Sequence, residues 1–135
     1  MSAPEVFEAI CGVLANRVER STSWFPMRVE LGAGNFPAGL IVWAESDNQY
    51  GETFDPTHTV FLDVELRVRG ELLTAHKVMT DYVWPGSGSC IYDALATDHT
   101  LSGLVTDVAV TGFQLDAYVN ADEDYVGRVH LRVML

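Results

Sequence analysis

The feature that most constrains the fold is a long run of alternating side chains from Thr59 to Arg69. Every second position is apolar, and these positions are Val60, Leu62, Val64, Leu66 and Val68. Charged residues lie between them, namely Asp63, Glu65, Arg67 and Arg69. Because successive side chains of a β-strand point to opposite faces, the run predicts a strand with one face in the core and the other in water.

Three segments have the spacing of amphipathic helices. The first carries a stripe formed by Phe7, Ile10, Leu14 and Val18, behind a capping-box start at Ser2 and Glu5, and predicts a helix over about residues 3 to 20. A second stripe, with His76 on its apolar side, predicts a helix over about residues 71 to 83. A short third helix follows Gly86 to Ser89 and ends near Asp98, with Ile91 and Leu95 inward and Tyr92 pointing elsewhere.

Further strands are predicted near residues 40 to 45, from Leu104 to Val110 with an extension toward Tyr118, and from Arg128 to Leu135. Gly112 marks a bend or bulge, and residues 21 to 37 show no periodicity and are interpreted as a loop. The order is α-β-β-α-α-β-β. Because the strands come in pairs, we expect an α+β fold: a mostly antiparallel, twisted sheet of about four strands with helices on one face.

Size and composition favour one domain over residues 1–135, since 135 residues with 48% apolar content suffice for one core. A formal net charge of -11 disfavours a grip on nucleic acid, which needs Lys and Arg to replace phosphate counterions, so DNA is expected only as passing cargo. Cys11 and Cys90 do not resemble a disulfide framework, which favours synthesis in a reducing, intracellular compartment. The sequence shows neither a signal-peptide pattern nor an apolar run of membrane-spanning length, so no membrane partner is expected.

Several segments resemble chemical motifs only in part. The stretch from Gly32 to Pro37 begins like a dinucleotide-binding loop but lacks the third glycine. Gly86 to Cys90 resembles a nucleophile elbow, yet neither Ser87 nor Ser89 has a glycine two places later. The four histidines show no zinc-ligand spacing with the cysteines. We therefore expect no catalytic residue, no cofactor and no metal, and a protein that is not an enzyme.

Two sets of residues are candidates for function. The first is acidic and consists of Glu45, Asp47, Glu52, Asp55, Asp122, Glu123 and Asp124. These carboxylates lack the ligand order of an EF-hand, so solvated loops are the plain interpretation, and calcium binding or acid-base chemistry is the alternative. The second set is aromatic, lies in or next to predicted loops, and consists of Trp24, Phe25, Trp43, Tyr50, Phe54 and Trp84. Such side chains are either interface anchors or parts of a satellite core.

From Thr59 onward the chain resembles a known family in the succession of its motifs. The succession runs from Arg67-Val68-Arg69 through the helix at Ala75 to Tyr82, and closes at Tyr125-Val126-Gly127. Its most specific part is Gly88-Ser89-Cys90-Ile91-Tyr92-Asp93-Ala94-Leu95, followed by Asp98, Thr100-Leu101-Ser102-Gly103 and Val105. In this pattern the chain resembles the tail terminator proteins of long-tailed bacteriophages, including the minor tail or tail completion proteins.

The resemblance implies a structural virion protein without catalytic residues. Such proteins form a hexameric ring on the last ring of the tail tube, stop its polymerisation and present a joining surface to the head-tail connector protein. The partners implied are thus further copies of the chain, the tail-tube protein and the connector. The implied location is the head-proximal end of the virion tail, after assembly in the host cytoplasm.

In such a ring, acidic loops at residues 45 to 56 and 120 to 124 facing the lumen would keep passing DNA from sticking. Two alternative functions remain open at this stage. The nearer is another head-tail joining or minor tail subunit. The more distant is a small enzyme or ligand-binding domain.

Overall fold

The computed structural model of the protein describes residues 2–44, 59–115 and 124–135. Its helices are α1 (Ala3–Arg17), α2 (Leu72–Asp81) and α3 (Ile91–Thr97), with a short 3-10 turn at Ala33–Asn35. Its strands are β1 (Ser23–Phe25), β2 (Ala38–Trp43), β3 (Thr59–Val68), β4 (Asp107–Gln114) and β5 (Tyr125–Met134).

The five strands form one sheet in the order β1-β2-β3-β5-β4. The long alternating strand β3 lies at its centre and pairs antiparallel with β2 on one side and β5 on the other. The β3–β5 pairing runs over the whole of β3, from Thr59 opposite Met134 to Val68 opposite Tyr125. The third and the last strand of the chain therefore lie side by side within the sheet, and β2 and β4 lie on opposite sides of this pair.

The predicted fold class is wrong, because the sheet has five strands and is mixed. The missed strand is β1, which pairs parallel with β2. Three residues are too few to show a period of two, so the pattern of residues 21 to 37 does not reveal a strand. β1 is a strand because it forms backbone hydrogen bonds along the outer edge of β2. At its start, the Ser23 amide donates to the Pro37 carbonyl at 3.0 Å. The ring of Trp24 also lies so close to Gly39 that a β-carbon there would sit 2.2 Å from it.

The main core lies between the helices and one face of the sheet. Its fully buried side chains include Ile10 and Leu14 of α1, Ile91 of α3, Leu62 of β3 and Leu131 of β5. Burying side chains of this size contributes about 1.5–3 kcal/mol each relative to exposure. The predicted stripes of α1 and α3 are thus the faces that these helices bury.

Two local predictions are confirmed, one at the start of a helix and one within a strand. Ser2 caps α1, accepting a hydrogen bond from the Glu5 amide at 3.4 Å. In β4 the register against β5 shifts between Val110 and Gly112, which is the predicted bulge. Other details differ from the prediction: β4 begins at Asp107, three residues after Leu104, and His76 is exposed on α2. Leu104 instead lies in the turn that precedes β4.

The second face of β3 is not wet, contrary to the prediction. Asp63 and Glu65 are each only 1% exposed. Their cross-strand neighbours on this face include Leu40 opposite Glu65 and His130 opposite Asp63. The segment after β1 also lies across this face, since Val29 packs against a small cluster formed by Ala38, Leu40 and Val42. Alternation reveals which face is polar, but burial of that face depends on what the rest of the chain places over it.

Candidate functional site: apolar patches at opposite edges of the sheet

The six aromatic candidates divide into packed, exposed and undescribed residues. Tyr50 and Phe54 lie outside the described residues. Trp24 and Phe25 belong to β1 and are partly buried. Trp43 and Trp84 are 40% and 64% exposed.

Trp24 and Phe25 stabilise the fold from the two faces of β1. The Trp24 ring meets Tyr82 edge to face, with ring centroids 6.2 Å apart, and packs against the main core. Phe25 points to the other face and packs against the cluster that contains Leu40. Trp24 and Phe25 therefore pack inside the fold. Of the two interpretations open from the sequence, interface anchor or part of a core, the structure supports the second for these residues.

Trp43 helps to form an apolar groove between the start of α1 and the end of β2. We define the α1–β2 groove by Pro4, Phe7, Pro26, Met27 and Trp43, which line a cavity of about 530 Å³. Phe7 and Trp43 meet edge to face at 5.8 Å, and Met27 is 61% exposed at the groove. Glu8 and Arg28 also line the groove and supply its charged groups. The lining of the groove is therefore mainly apolar and includes two residues of opposite charge.

A second apolar surface lies at the β4 edge of the sheet. We define the β4 patch by Pro85, Tyr92 and Phe113. Pro85, Tyr92 and Phe113 line a cavity of about 300 Å³, and Tyr92 and Phe113 are each 55% exposed. Trp84 directly precedes Pro85 in the chain and is 64% exposed.

Hydrogen bonds fix the turn that carries Trp84. The Trp84 amide donates to the Thr80 carbonyl at 2.9 Å, which ties the turn to the end of α2. The Gly86 amide donates to Oδ2 of Asp93 at 2.8 Å, which ties it to α3. Gly86 has a φ of +80°, a conformation that glycine adopts without a steric penalty. Trp84 therefore projects from a turn whose backbone is held at both ends.

Sequence reasoning missed Met27, Tyr92 and Phe113 as members of these two surfaces. The signal for Tyr92 is present in the sequence, because it lies off the inward stripe of Ile91 and Leu95. Phe113 carries no such signal, since the bulge before it changes which face its side chain takes. Met27 lies in a segment without periodicity, where only the tertiary structure shows its exposure.

A charged network covers part of the second face of the sheet. It consists of two buried carboxylates and four arginines, namely Glu65, Asp124, Arg28, Arg67, Arg69 and Arg128. Oε1 of Glu65 lies 3.0 Å from Arg28 and 3.5 Å from Arg128. Oε2 of Glu65 lies 3.0 Å from Arg67. Since these arginines come from three segments of the chain, the network joins the segment after β1 to β3 and β5.

Asp124 is the one acidic candidate within the described residues, and it is not an exposed loop residue. It is 2% exposed and accepts a hydrogen bond from Nε of Arg69 at 2.6 Å. Its other oxygen lies 3.7 Å from Arg67. The remaining acidic candidates, Glu45, Asp47, Glu52, Asp55, Asp122 and Glu123, lie outside the described residues.

Asp63 and His130 form a further pair that the sequence did not reveal. Oδ1 of Asp63 lies 2.7 Å from Nδ1 of His130, although the two residues are 67 positions apart. A carboxylate that orients an imidazole is one half of a general-base arrangement. Within residues 2–44, 59–115 and 124–135, however, no hydroxyl or thiol side chain is hydrogen bonded to this imidazole ring. The pair fastens β3 to β5.

The two serines of the Gly86 to Cys90 segment, which resembles a nucleophile elbow in part, form hydrogen bonds that stabilise the local turn. Ser87 donates from Oγ to the Asp81 carbonyl at 2.6 Å, and Oγ of Ser89 accepts from the Arg20 amide at 3.0 Å. Both cysteines are buried. Burial, with a smaller effect of the Glu8 charge, raises the pKa of the Cys11 thiol to about 12. The described residues contain no group of three His, Cys, Asp or Glu side chains placed to hold a metal ion.

Neither family models nor curated proteins include a match to this chain. Among the helices of the described residues, none combines the length and apolar character needed to cross a membrane.

Proposed function

We propose that this protein is a structural subunit of a phage tail that caps the tail tube, stops its polymerisation and forms the tail-side joining surface for the head connector. The observation that supports the proposal best is the pair of different apolar surfaces, the α1–β2 groove and the β4 patch, at opposite edges of one sheet. The family resemblance of the second half of the chain agrees with it.

Two different surfaces on one subunit suit a closed ring. A two-fold dimer buries the same patch on both partners, whereas a ring needs one patch that meets a different patch on its neighbour. Trp43, which is 40% exposed, lines the α1–β2 groove, and Tyr92 and Phe113, each 55% exposed, line the β4 patch. Large exposed aromatics are the residue types that anchor protein interfaces. The expectation of six subunits comes from the resemblance alone.

The interior of the subunit suits a ring of fixed dimensions. Strands β3 and β5 are joined over ten paired positions and by the Asp63–His130 contact. The charged network fastens the segment after β1, which contains Met27, to this central pair through Arg28. The groove and the β4 patch are therefore held at a fixed separation, which a ring of defined diameter requires.

The acidic character of the chain fits a channel for DNA. A net charge of -11 repels phosphate, so DNA passes as cargo without being bound. Because Asp124 is buried in the charged network, the lumen-facing role is proposed for the acidic residues of 45 to 56 and for Asp122 and Glu123 only.

The test is negative-stain microscopy of the cognate tail-tube protein polymerised with and without this protein. The proposal expects tubes of limited length with a ring at one end, and unlimited growth without the protein. Unlimited tubes with bare ends in both samples would reject the terminator function. A ring bound to the connector but not to the tube would instead identify another head-tail joining subunit.

A further inference from the structure

We propose that the outer edge of β4 accepts an extended, basic strand from another protein, which lengthens the sheet and packs its apolar side chains against Tyr92 and Phe113. The inference concerns the β4 patch and names the kind of partner that binds there. It rests on the proposed function only in treating this patch as an interface, because strand addition is measured on the protein alone.

Strand β4 lies at one end of the sheet, and among the strands of the described residues it pairs with β5 alone. Its eight residues, Asp107–Gln114, include neither Lys nor Pro, which are residue types that commonly protect an edge strand from pairing with another chain. The bulge between Val110 and Gly112 is a third such protection, and β4 has it. The protection of this edge is therefore limited to the bulge, which restricts pairing to short stretches on either side.

The hydrogen bonds of Val108 show which backbone groups of β4 point outward. The Val108 amide donates at 2.7 Å to the carbonyl of His99, which is not part of β5, so this amide points away from β5. In an antiparallel pair, the backbone groups of successive residues alternate between the two sides of the strand. The N–H and C=O of Val110 therefore also point outward.

Phe113 has the same backbone orientation on the other side of the bulge. Val110 is opposite Leu131, and Phe113 is opposite Val129, two positions away along β5. The same alternation along β5 therefore directs the N–H and C=O of Phe113 outward. Within residues 2–44, 59–115 and 124–135, no backbone group outside the β4–β5 pair hydrogen bonds to Val110 or Phe113. Unpaired backbone groups of this kind are complementary to an extended strand.

Two cavities beside the edge provide space for the side chains of such a strand. The first is the cavity of the β4 patch, of about 300 Å³. The second, of about 320 Å³, is lined by residues of α3 and β4 that include Leu95. Tyr92 and Val110 line both cavities. Because paired residues of neighbouring strands share a face, every second side chain of an added strand would lie on the face of Val110 and Phe113. Apolar residues are expected at these positions of the partner.

The charges around the edge favour a basic partner. The residues that line the two cavities include one carboxylate, Asp107, and neither Lys nor Arg. The Asp107 side chain is 34% exposed, and its Oδ1 lies 3.0 Å from Nδ1 of His99. The whole chain has a formal net charge of -11. A strand with basic residues between its apolar ones is therefore attracted, whereas an acidic strand is repelled.

The experiment is amide hydrogen exchange, measured by NMR on the protein with and without a short synthetic peptide that alternates lysine and valine. The peptide is expected to slow exchange at least tenfold at one or both of the Val110 and Phe113 amides, because an outward amide gains a hydrogen bond. Unchanged exchange at both amides under saturating peptide, or no binding of the peptide, would overturn strand addition.

N-methylated peptides distinguish strand addition from attraction between charges. One control peptide is methylated at its valine amides and another at its lysine amides, so each keeps every side chain and charge but loses the donors of one edge. An added strand uses one edge, so one of the two controls should bind at least tenfold more weakly than the other. Equal affinities of both controls and the parent peptide would overturn the proposal.

A pair of variants tests the position of the peptide. Phe113→Ala removes a side chain that is 55% exposed, and it is expected to weaken peptide binding at least fivefold with an unchanged urea midpoint of unfolding. Leu73→Ala is the matched control, because Leu73 is 65% exposed and does not line either cavity. Equal affinities of the two variants would overturn the assignment of the partner to this edge.

The microscopy of tube ends separates this inference from the proposed function. Capped tubes together with a failure of peptide binding would reject strand addition and leave the terminator function standing. Peptide binding together with unlimited, bare tubes would support strand addition and reject the terminator function.

Discussion

Replacing Glu65 by glutamine removes the charge on which three arginines converge. The carboxylate is 1% exposed and lies 3.0 Å from Arg28, 3.0 Å from Arg67 and 3.5 Å from Arg128. Glutamine has nearly the same size, so the packing is kept while the guanidinium groups lose their counter-charge. Breaking a fully buried ion pair by removing one partner costs about 3–5 kcal/mol.

The exposure of the arginines reduces this cost. Their side chains are 55%, 20% and 25% exposed for Arg28, Arg67 and Arg128, so water partly replaces the lost carboxylate. We expect Glu65→Gln to lower the free energy of unfolding by about 2–3 kcal/mol. For a chain of this size the corresponding fall in Tm is roughly 8 °C.

The assay is equilibrium unfolding in urea at pH 7, followed by tryptophan fluorescence. Glu30→Gln is the matched control, because it makes the same chemical change at an exposed position, and it should change stability by less than about 0.5 kcal/mol. The loss in Glu65→Gln should persist in 0.5 M salt, since buried pairs are weakly screened. A loss as small as that of Glu30→Gln would refute the view that the charged network holds the second face together.

Three further predictions concern packing and titration. Gly39→Ala is expected to lower stability by about 1–3 kcal/mol in the same assay, because the new β-carbon displaces the Trp24 ring, whereas Gly34→Ala meets nothing within 4 Å and should cost less than 1 kcal/mol. At pH 8 the native Cys11 thiol should react with Ellman's reagent at least about a hundredfold more slowly than in urea, since burial raises its pKa to about 12; equal rates would contradict its burial. Burial also raises the pKa of Tyr82 above its ordinary value of 10.0, so the folded state disfavours the phenolate: the contribution of Tyr82 to stability is unchanged below pH 10 and falls as the pH rises beyond it. Unfolding at pH 9 and pH 11 measures this fall, which should be smaller in Tyr82→Phe.

The parts of the fold that the sequence predicted are those with local causes. Helices α1, α2 and α3 and strands β2 to β5 each lie close to where periodicity indicated, because that pattern is a property of consecutive residues. The Ser2 cap and the bulge near Gly112 were likewise predictable, since a hydroxyl before a helix and a glycine within a strand act on neighbouring backbone. The strand β1 was not, because its hydrogen bonds depend on the edge of β2.

The candidate site divides in the same way. The sequence singled out Trp43 and Trp84 among the aromatic residues in or next to loops, as interface anchors or parts of a satellite core. The structure shows both side chains exposed, with Trp43 in the lining of the α1–β2 groove. The sequence offered no means to separate them from Trp24, which packs against Tyr82, 58 positions further along the chain. Whether an aromatic residue near a loop is covered depends on which distant segment returns to it.

What the sequence by itself determined is the set of elements and the polarity of each face, since both follow from side-chain spacing along a single helix or strand. Only the tertiary structure decided the mixed sheet and the burial of Asp63 and Glu65. Their partners, His130 and Arg28, lie 67 and 37 positions away. The physical reason is that burial and charge pairing are properties of two surfaces in contact, and one strand's pattern specifies only one of them.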